Sequence, residues 1–362
     1  MNSVPMVHGT GSAFRGRAPW WGGDLQTLRN FCLPRQIALP GRSSTLEFPT
    51  SDGSGDRLTG TLDEPIAPAV ESPLILLIHG LTGCAESTYM RESARFHLAR
   101  GRPVLRLNLR GAGSSRGSVN GYYHAGSGSD IQDVLDSLGD ARTSNGVFAI
   151  GYSLGGNVLL NLLSRLKPQH PLVGAATVSA PIEPLEACRR IMAPRNALYH
   201  QFLLRRMKHD VLASPAMPKL ERQHIERAKS VFAFDDEWVA PRNGFHNALD
   251  YYERTAGARH VSGITIPILM MHASNDPWIP IRPYLVLKKS ALPNAEILVS
   301  RSGGHVGFHE RGHIETWHDR MIDRFMAPKG NPCRGLIGRG SAPARGVRLG
   351  RSACRQWERQ RG

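Results

Sequence analysis

Cysteine is scarce and scattered in this chain. Its five cysteines, Cys32, Cys84, Cys188, Cys333 and Cys354, are odd in number, widely spaced and never arranged as Cys-x-x-Cys. That pattern speaks against a disulfide framework or a zinc ribbon and suits a reducing compartment, so a cytoplasmic protein is expected. Long apolar runs are missing as well. The longest, Leu74–Ile78, has the length of a strand and falls far short of the roughly 20 residues of a membrane-spanning helix. Residues 1–9 show no charged stretch followed by an apolar one, so no secretory signal is expected. The Gly-rich loop 111–117 is not followed by Gly-Lys-Ser or Gly-Lys-Thr and reads as a tight turn after a strand, not a phosphate cradle.

Acidic residues are outnumbered 30 to 45 by Lys and Arg, giving a net charge of +15. The excess is uneven. Residues 329–362 hold nine basic residues and one acid, Glu358, so this tail carries +8 and the remaining chain +7. The tail is Gly- and Arg-rich, without helical or alternating period, and residues 328–362 are expected to be a basic, disordered, solvated extension. Basic arms of this kind can bind phosphate backbones, so an alternative reading is a catalytically silent α/β scaffold that holds RNA or an anionic membrane through its tail. The expected reading involves no nucleic acid.

What the sequence does contain is Ile150-Gly151-Tyr152-Ser153-Leu154-Gly155-Gly156-Asn157. The apolar run Val147-Phe148-Ala149-Ile150 precedes it and the helix-like Val158-Leu159-Leu160-Asn161-Leu162-Leu163 follows. A strand, a serine and a helix in immediate succession form the nucleophile elbow of α/β-hydrolases, in which the serine takes a strained backbone conformation. Gly151 and Gly155 lack the Cβ atoms that would collide where strand and helix cross.

In such folds the partners follow in the order Ser, Asp or Glu, His. Ile266-Pro267-Ile268-Leu269-Met270-Met271 reads as a buried strand leading to Asn275-Asp276-Pro277, which puts Asp276 just past a strand's carboxyl end, where ligands collect in parallel sheets. Ala295-Glu296-Ile297-Leu298-Val299-Ser300 reads as the next strand, and the Gly-rich loop after it carries His305. The chemistry requires these types. A serine hydroxyl needs a neutral imidazole to take its proton, and a carboxylate fixes that ring's tautomer and stabilises the imidazolium. Two preset N–H donors must meet the developing oxyanion, and losing one typically costs about 3–4 kcal/mol. Leu154 N–H, directly after the serine, and Leu81 N–H, in His79-Gly80-Leu81-Thr82-Gly83 after the strand Leu74–Ile78, are the candidates.

From Leu74 onward strands and helices alternate, which predicts a mostly parallel sheet. Short alternating segments around residues 45–63 predict a β-hairpin, and residues 1–45 read as an irregular approach. The expected organisation is one α/β domain over 1–327. The rhythm stops at about 181–262, and a helical cap is expected there, over the serine. Its Leu198, Tyr199, Phe202, Leu203, Met207, Trp238, Phe245, Tyr251 and Tyr252 are available to pack the cap or line an acyl pocket. A competing motif is His309-Glu310-Arg311-Gly312-His313, which matches the His-Glu-x-x-His zinc signature with Glu310 as base. Only His318 and Asp319 stand nearby as a third ligand, and the segment also reads as the start of an amphipathic last helix through Ile314, Trp317, Met321, Ile322 and Phe325.

The chain resembles the YheT-type α/β-hydrolases, bacterial relatives of the eukaryotic ABHD one/three esterase group. The matching pieces run from Trp21-Gly22-Gly23-Asp24-Leu25-Gln26-Thr27 through His79-Gly80-Leu81-Thr82-Gly83, Asn108-Leu109-Arg110-Gly111, Tyr123-His124-Ala125-Gly126 and the serine motif. Phe234-Asp235-Asp236, Asn275-Asp276-Pro277 and Gly303-Gly304-His305-Val306-Gly307-Phe308 complete them. The resemblance implies an α/β-hydrolase fold, carboxylic-ester hydrolysis and the triad Ser153, Asp276 and His305. The tail lies outside it. The combined expectation is a serine esterase for small ester substrates, acting without metal or organic cofactor.

Overall fold

Strands β3, β5 and β7 obey one rule: a segment packed on both faces must be apolar at nearly every position. The structure, a computed structural model, describes residues 14–32, 37–213 and 217–327. The proposed tail 328–362 lies outside the described residues. Helix α1 (Gly22–Cys32) comes first, followed by the hairpin β1 (Arg42–Pro49) and β2 (Arg57–Glu64). Then come β3 (Leu74–Ile78), α2 (Thr88–Leu98), β4 (Val104–Asn108), a 3₁₀ turn (Gly113–Ser118), α3 (Gly128–Ser137), α4 (Asp140–Thr143), β5 (Val147–Tyr152), α5 (Leu154–Leu163) and β6 (Leu172–Val178). After β6 six helices are inserted: α6 (Pro184–Met192), α7 (Ala197–Leu212), α8 (Lys219–Arg227), α9 (Val231–Phe234), α10 (Ala240–Arg242) and α11 (Ala248–Arg254). A π-helical turn, Asp235–Val239, joins α9 to α10. The sheet resumes with β7 (Ile268–Ala273), α12 (Arg282–Lys288) and β8 (Ala295–Ser300), and the described part closes with α13 (Trp317–Met326).

The eight strands lie in the order β1-β2-β4-β3-β5-β6-β7-β8. Neighbours from β4 to β8 pair parallel, and β2 pairs antiparallel with both β1 and β4. Period-two alternation sends Leu74, Leu76 and Ile78 to one face and Ile75 and Leu77 to the other. The first face packs on α3, α5 and the inserted helices, through Ile131, Val134, Val158, Leu159 and Leu203. The second packs on α2 and α13, through Met90, Ala94, Met321 and Ile322. This is the mostly parallel, helix-covered sheet of an α/β-hydrolase fold with a helical cap insertion. Among the described residues, no helix is long and apolar enough to cross a membrane.

Several boundaries differ from the sequence reading, each for a local reason. β7 begins at Ile268 instead of Ile266, because Pro267 has no N–H to give the ladder. The pattern over Ser129–Asp140 predicts one helix, but α3 stops at Ser137, and the positive φ of Gly139 ends that stretch. The segment expected to be irregular contains α1, whose buried side chains are the polar Gln26, Thr27 and Arg29. Apolar periodicity therefore had nothing to detect.

Candidate active site

Ser153 sits at the junction of β5 and α5 with φ +50° and ψ −123°. A non-glycine residue with positive φ stores about 1–3 kcal/mol of strain, which its surroundings must offset. Close approach does so here. A Cβ on Gly155 would run into the carbonyl oxygens of His79 and Ile78, and one on Gly151 would lie 2.6 Å from Gly155 O. The elbow therefore forms only with glycine on both sides of the serine. Asn157, one turn into α5, anchors the returning chain of the insertion: its amide donates to Thr255 O (2.8 Å) and its oxygen accepts from Gly257 N–H (3.0 Å).

Asp276 and His305 reach the same point from the ends of β7 and β8. His305 Nε2 is 2.8 Å from Ser153 Oγ, and His305 Nδ1 is 2.8 Å from Asp276 Oδ2. The other carboxylate oxygen accepts the N–H groups of Trp278 (2.8 Å) and Ile279 (3.0 Å). Burial alone would raise the Asp276 pKa. The adjoining His305, with help from His272 and Ile279 N–H, outweighs it and holds the carboxyl below its ordinary range. Its ionised form is thus the native one, and Nδ1 must carry the proton shared with it. The ring of Trp278 lies over His305, centroids 4.5 Å apart.

Leu81 and Leu154 line the same cavity as Ser153 and His305. Leu154 opens α5, so its N–H has no partner within the helix. Around Leu81 the neighbouring N–H groups are occupied: Gly80 N–H donates to Tyr89 Oη (2.9 Å) and Thr82 N–H to Tyr123 Oη (2.7 Å). His79 holds this loop from beneath. Its Nδ1 is 2.8 Å from Gly80 O, and its Nε2 accepts Leu109 N–H at 3.0 Å, which sets the tautomer with Nδ1 protonated. Burial lowers its pKa to about 4.

A second support comes from a segment to which neither periodicity nor motif chemistry assigns a role. Helix α1 presses its polar face against the loops that carry Asp276 and His305. Thr27 Oγ1 accepts His305 N–H (2.8 Å), and Gln26 Oε1 accepts His309 N–H (2.8 Å). Gly23 touches the backbone of Asn275 so closely that any Cβ there would strike its carbonyl oxygen. Asn275 Oδ1 in turn accepts Gly304 N–H at 3.1 Å. The only hint in the sequence was the conspicuous Trp21-to-Thr27 motif, whose partners are some 280 residues away.

The cavity has a volume of about 420 Å³, within the range of small-molecule sites. Of the cap residues offered for it, Leu203, Met207, Tyr251 and Tyr252 line it. Leu198 is 83% exposed, and Trp238 is buried against Phe234 and Tyr122. Asp235 is a lining residue not singled out from the sequence for this role. Burial raises its pKa to about 7, and Tyr252 Oη donates to it at 2.6 Å.

The zinc motif does not assemble. His309 to His313 lie in a non-helical turn with Gly312 at φ +81°, and α13 starts only at Trp317. The two imidazoles therefore lack the one-turn helical spacing that the motif needs. Glu310 is bonded to Arg320, and His309 to Arg29 and Asn30. Among the described residues no group of three or more His, Cys, Asp or Glu is placed to hold a metal ion.

Residues 75–326 match the model of the alpha/beta hydrolase family. The chain belongs to that family. It is 29% identical to YheT of Escherichia coli (strain K12) over 83% of this chain and 89% of that protein. It is 25% identical to the phospholipase ABHD3 of Homo sapiens, over 84% of this chain and 76% of that protein. Among solved structures, the Pyrococcus furiosus esterase Pf2001 superposes with a TM-score of 0.53 at 16% identity, covering 79% of this chain and 92% of that one. The last likeness concerns the fold alone.

Proposed function

We propose that this protein is a serine hydrolase that cleaves carboxylic esters of short or medium acyl chains, or lipid-derived esters, through Ser153, His305 and Asp276. The observation that carries this reading is the unbroken hydrogen-bonded chain Ser153 Oγ–His305–Asp276, two links of 2.8 Å each, opening on an apolar-lined cavity. Relatives named as a phospholipase, a monoacylglycerol lipase and a medium-chain fatty acid ethyl ester synthase/esterase support esters as the substrate class.

In this reading the ester carbonyl carbon settles beside Ser153 Oγ. His305 Nε2 takes the hydroxyl proton as the oxygen attacks, and the imidazolium is stabilised by Asp276, which stays ionised. Charge on the carbonyl oxygen is met by Leu81 N–H and Leu154 N–H. Collapse breaks the carbon–oxygen bond to the alcohol, which leaves with the proton from His305 and gives an acyl-Ser153 ester. Water, deprotonated by His305, then attacks that ester, and the carboxylic acid departs as Ser153 recovers its proton. The 2.8 Å contact between Ser153 Oγ and His305 Nε2 carries the proton in the attack, and the same nitrogen returns it to the leaving alcohol.

Labelling with a fluorophosphonate followed by peptide mapping tests the reading. The adduct is expected on Ser153 and is expected to fall sharply in His305→Ala. An adduct on another serine, or equal labelling of the His305 variant, would refute it.

A further inference from the structure

Helix α1 is built inside out. Its buried side chains are Gln26, Thr27 and Arg29, while Trp21, just before it, Leu25 and Phe31 are 64%, 43% and 47% exposed. Scattered exposed apolar residues need no explanation, but a contiguous patch does. Contiguity here comes from α7, which lies alongside. Phe31 meets Phe202 of α7 edge-on, centroids 5.6 Å apart, and Asp24 bonds Arg195, just before α7, and Tyr199 in its first turn. Leu198, one turn before Phe202, projects into solvent.

Two further observations say what such a face would meet. Phe31 and Arg206 are exposed and also line the cavity that holds Ser153, so the patch adjoins that cavity. From Phe31 the aromatic contacts run inward, to Trp278 (6.3 Å) and from Trp278 to His305 (4.5 Å). Helices α6 and α7 together carry five Lys and Arg against two acids, Glu186 and Asp210. Arg205 and Arg206 are exposed on α7, and Arg189 and Arg190 on α6. The single acid of α7, Asp210, pairs with Arg116, and Asp24 pairs with Arg195. Exposed apolar side chains with exposed arginines on the neighbouring helices suit an interface whose interior is hydrocarbon and whose surface is anionic.

We propose that the α1–α7 face docks on a lipid surface bearing anionic headgroups, so that the ester passes from that surface into the cavity. This rests on the ester-hydrolase reading for its purpose but not for its measurement. Flotation of the full-length chain with vesicles of phosphatidylcholine, alone or with one quarter phosphatidylglycerol, reads docking without any turnover. Binding is expected to the anionic vesicles and to weaken with salt. The triple substitution Trp21→Ser, Leu25→Ser, Leu198→Ser is expected to lower it by at least about tenfold, since each removes a large apolar side chain from the contact. Arg205→Glu should lower it several-fold in low salt and little in high salt. Hydrolysis of soluble p-nitrophenyl acetate should be unchanged in both variants, whereas loss of that turnover in the parent chain would strike the hydrolase reading and leave docking untouched. Vesicle binding equal to the parent in the triple variant would overturn the proposal and assign any binding to another part of the chain, such as the basic tail. Equal binding to neutral vesicles would overturn it too, as would a dimer of the parent chain that the triple substitution dissolves, which would give the face to a second copy.

Discussion

Ser153 and His305 lie within one hydrogen bond of each other, yet they are held by different kinds of construction. The serine side is made locally, from one strand, one helix and the glycines between them, with the backbone of His79 pressed against Gly155. The histidine side is assembled from distant pieces: loops after β7 and β8, locked by Thr27, Gln26 and Gly23 of α1. A local elbow is all-or-none, because its contacts are backbone on backbone and cannot relax. An assembled clamp can be loosened one hydrogen bond at a time. Damage on the serine side should therefore remove either the chemistry or the fold, and damage on the histidine side should grade the chemistry while the fold survives.

The largest expected effect is chemical. Ser153→Ala should lower kcat for a p-nitrophenyl ester by roughly 10⁴- to 10⁶-fold while the far-ultraviolet circular dichroism is unchanged. Retained turnover would break the comparison at its root. Next is Gly155→Ala. The added methyl meets two carbonyl oxygens of the β3 end, so overpacking should cost at least about 3 kcal/mol in urea denaturation, with loss of soluble protein an equally telling result. A normal midpoint in that variant would show that the elbow does have room to give.

An intermediate effect tests the floor of the candidate oxyanion loop. His79 is held neutral in the fold, with burial lowering its pKa to about 4 from 6.5. Between those values the unfolded chain binds the proton and the folded one does not, so the contribution is present above pH 6.5 and is lost as pH falls toward 4. In His79→Asn the loss of stability on going from pH 7 to pH 5 should be smaller than in the parent by about 2 kcal/mol. The other buried histidines titrate alike in both proteins and cancel. Parallel stability curves would mean that His79 is not buried neutral.

The same contrast explains what could be read from the sequence. β3, β5 and β7 are apolar at almost every position and were legible as buried strands, and the serine motif carries its strand and helix with it. Chain order and strand ends pointed to Asp276 and His305, which the fold brings within 2.8 Å of each other. Helix α1 was not, because it buries Gln26 and Thr27, and their partners lie 283 and 278 residues away. Nor was the turn at Gly312 legible: its positive φ delays α13 to Trp317, although the apolar spacing continues backward to Ile314. The cap shows the limit of composition. Leu198 and Leu203 are alike in chemistry, and only their angle on α7 sends one to solvent and the other to the cavity.

The smallest effect expected is the most discriminating. Thr27 Oγ1 is the acceptor for His305 N–H, and Thr27 itself donates to Gly23 O at 2.7 Å within α1. Thr27→Val keeps the shape and removes the acceptor, leaving a buried N–H unsatisfied at about 1–2 kcal/mol. Part of that should appear as a lower melting temperature. Part should appear as a kcat reduced by a few-fold to tenfold with KM held, because the imidazole loses its backbone anchor while the cavity is untouched. Thr27→Ser, which restores the hydroxyl, should recover kcat even if some packing is lost. A Val variant that loses stability but keeps its full kcat would reduce α1 to a structural prop. Recovery with Ser identifies the Thr27 hydroxyl as a positioning group for His305, acting from the opposite end of the chain.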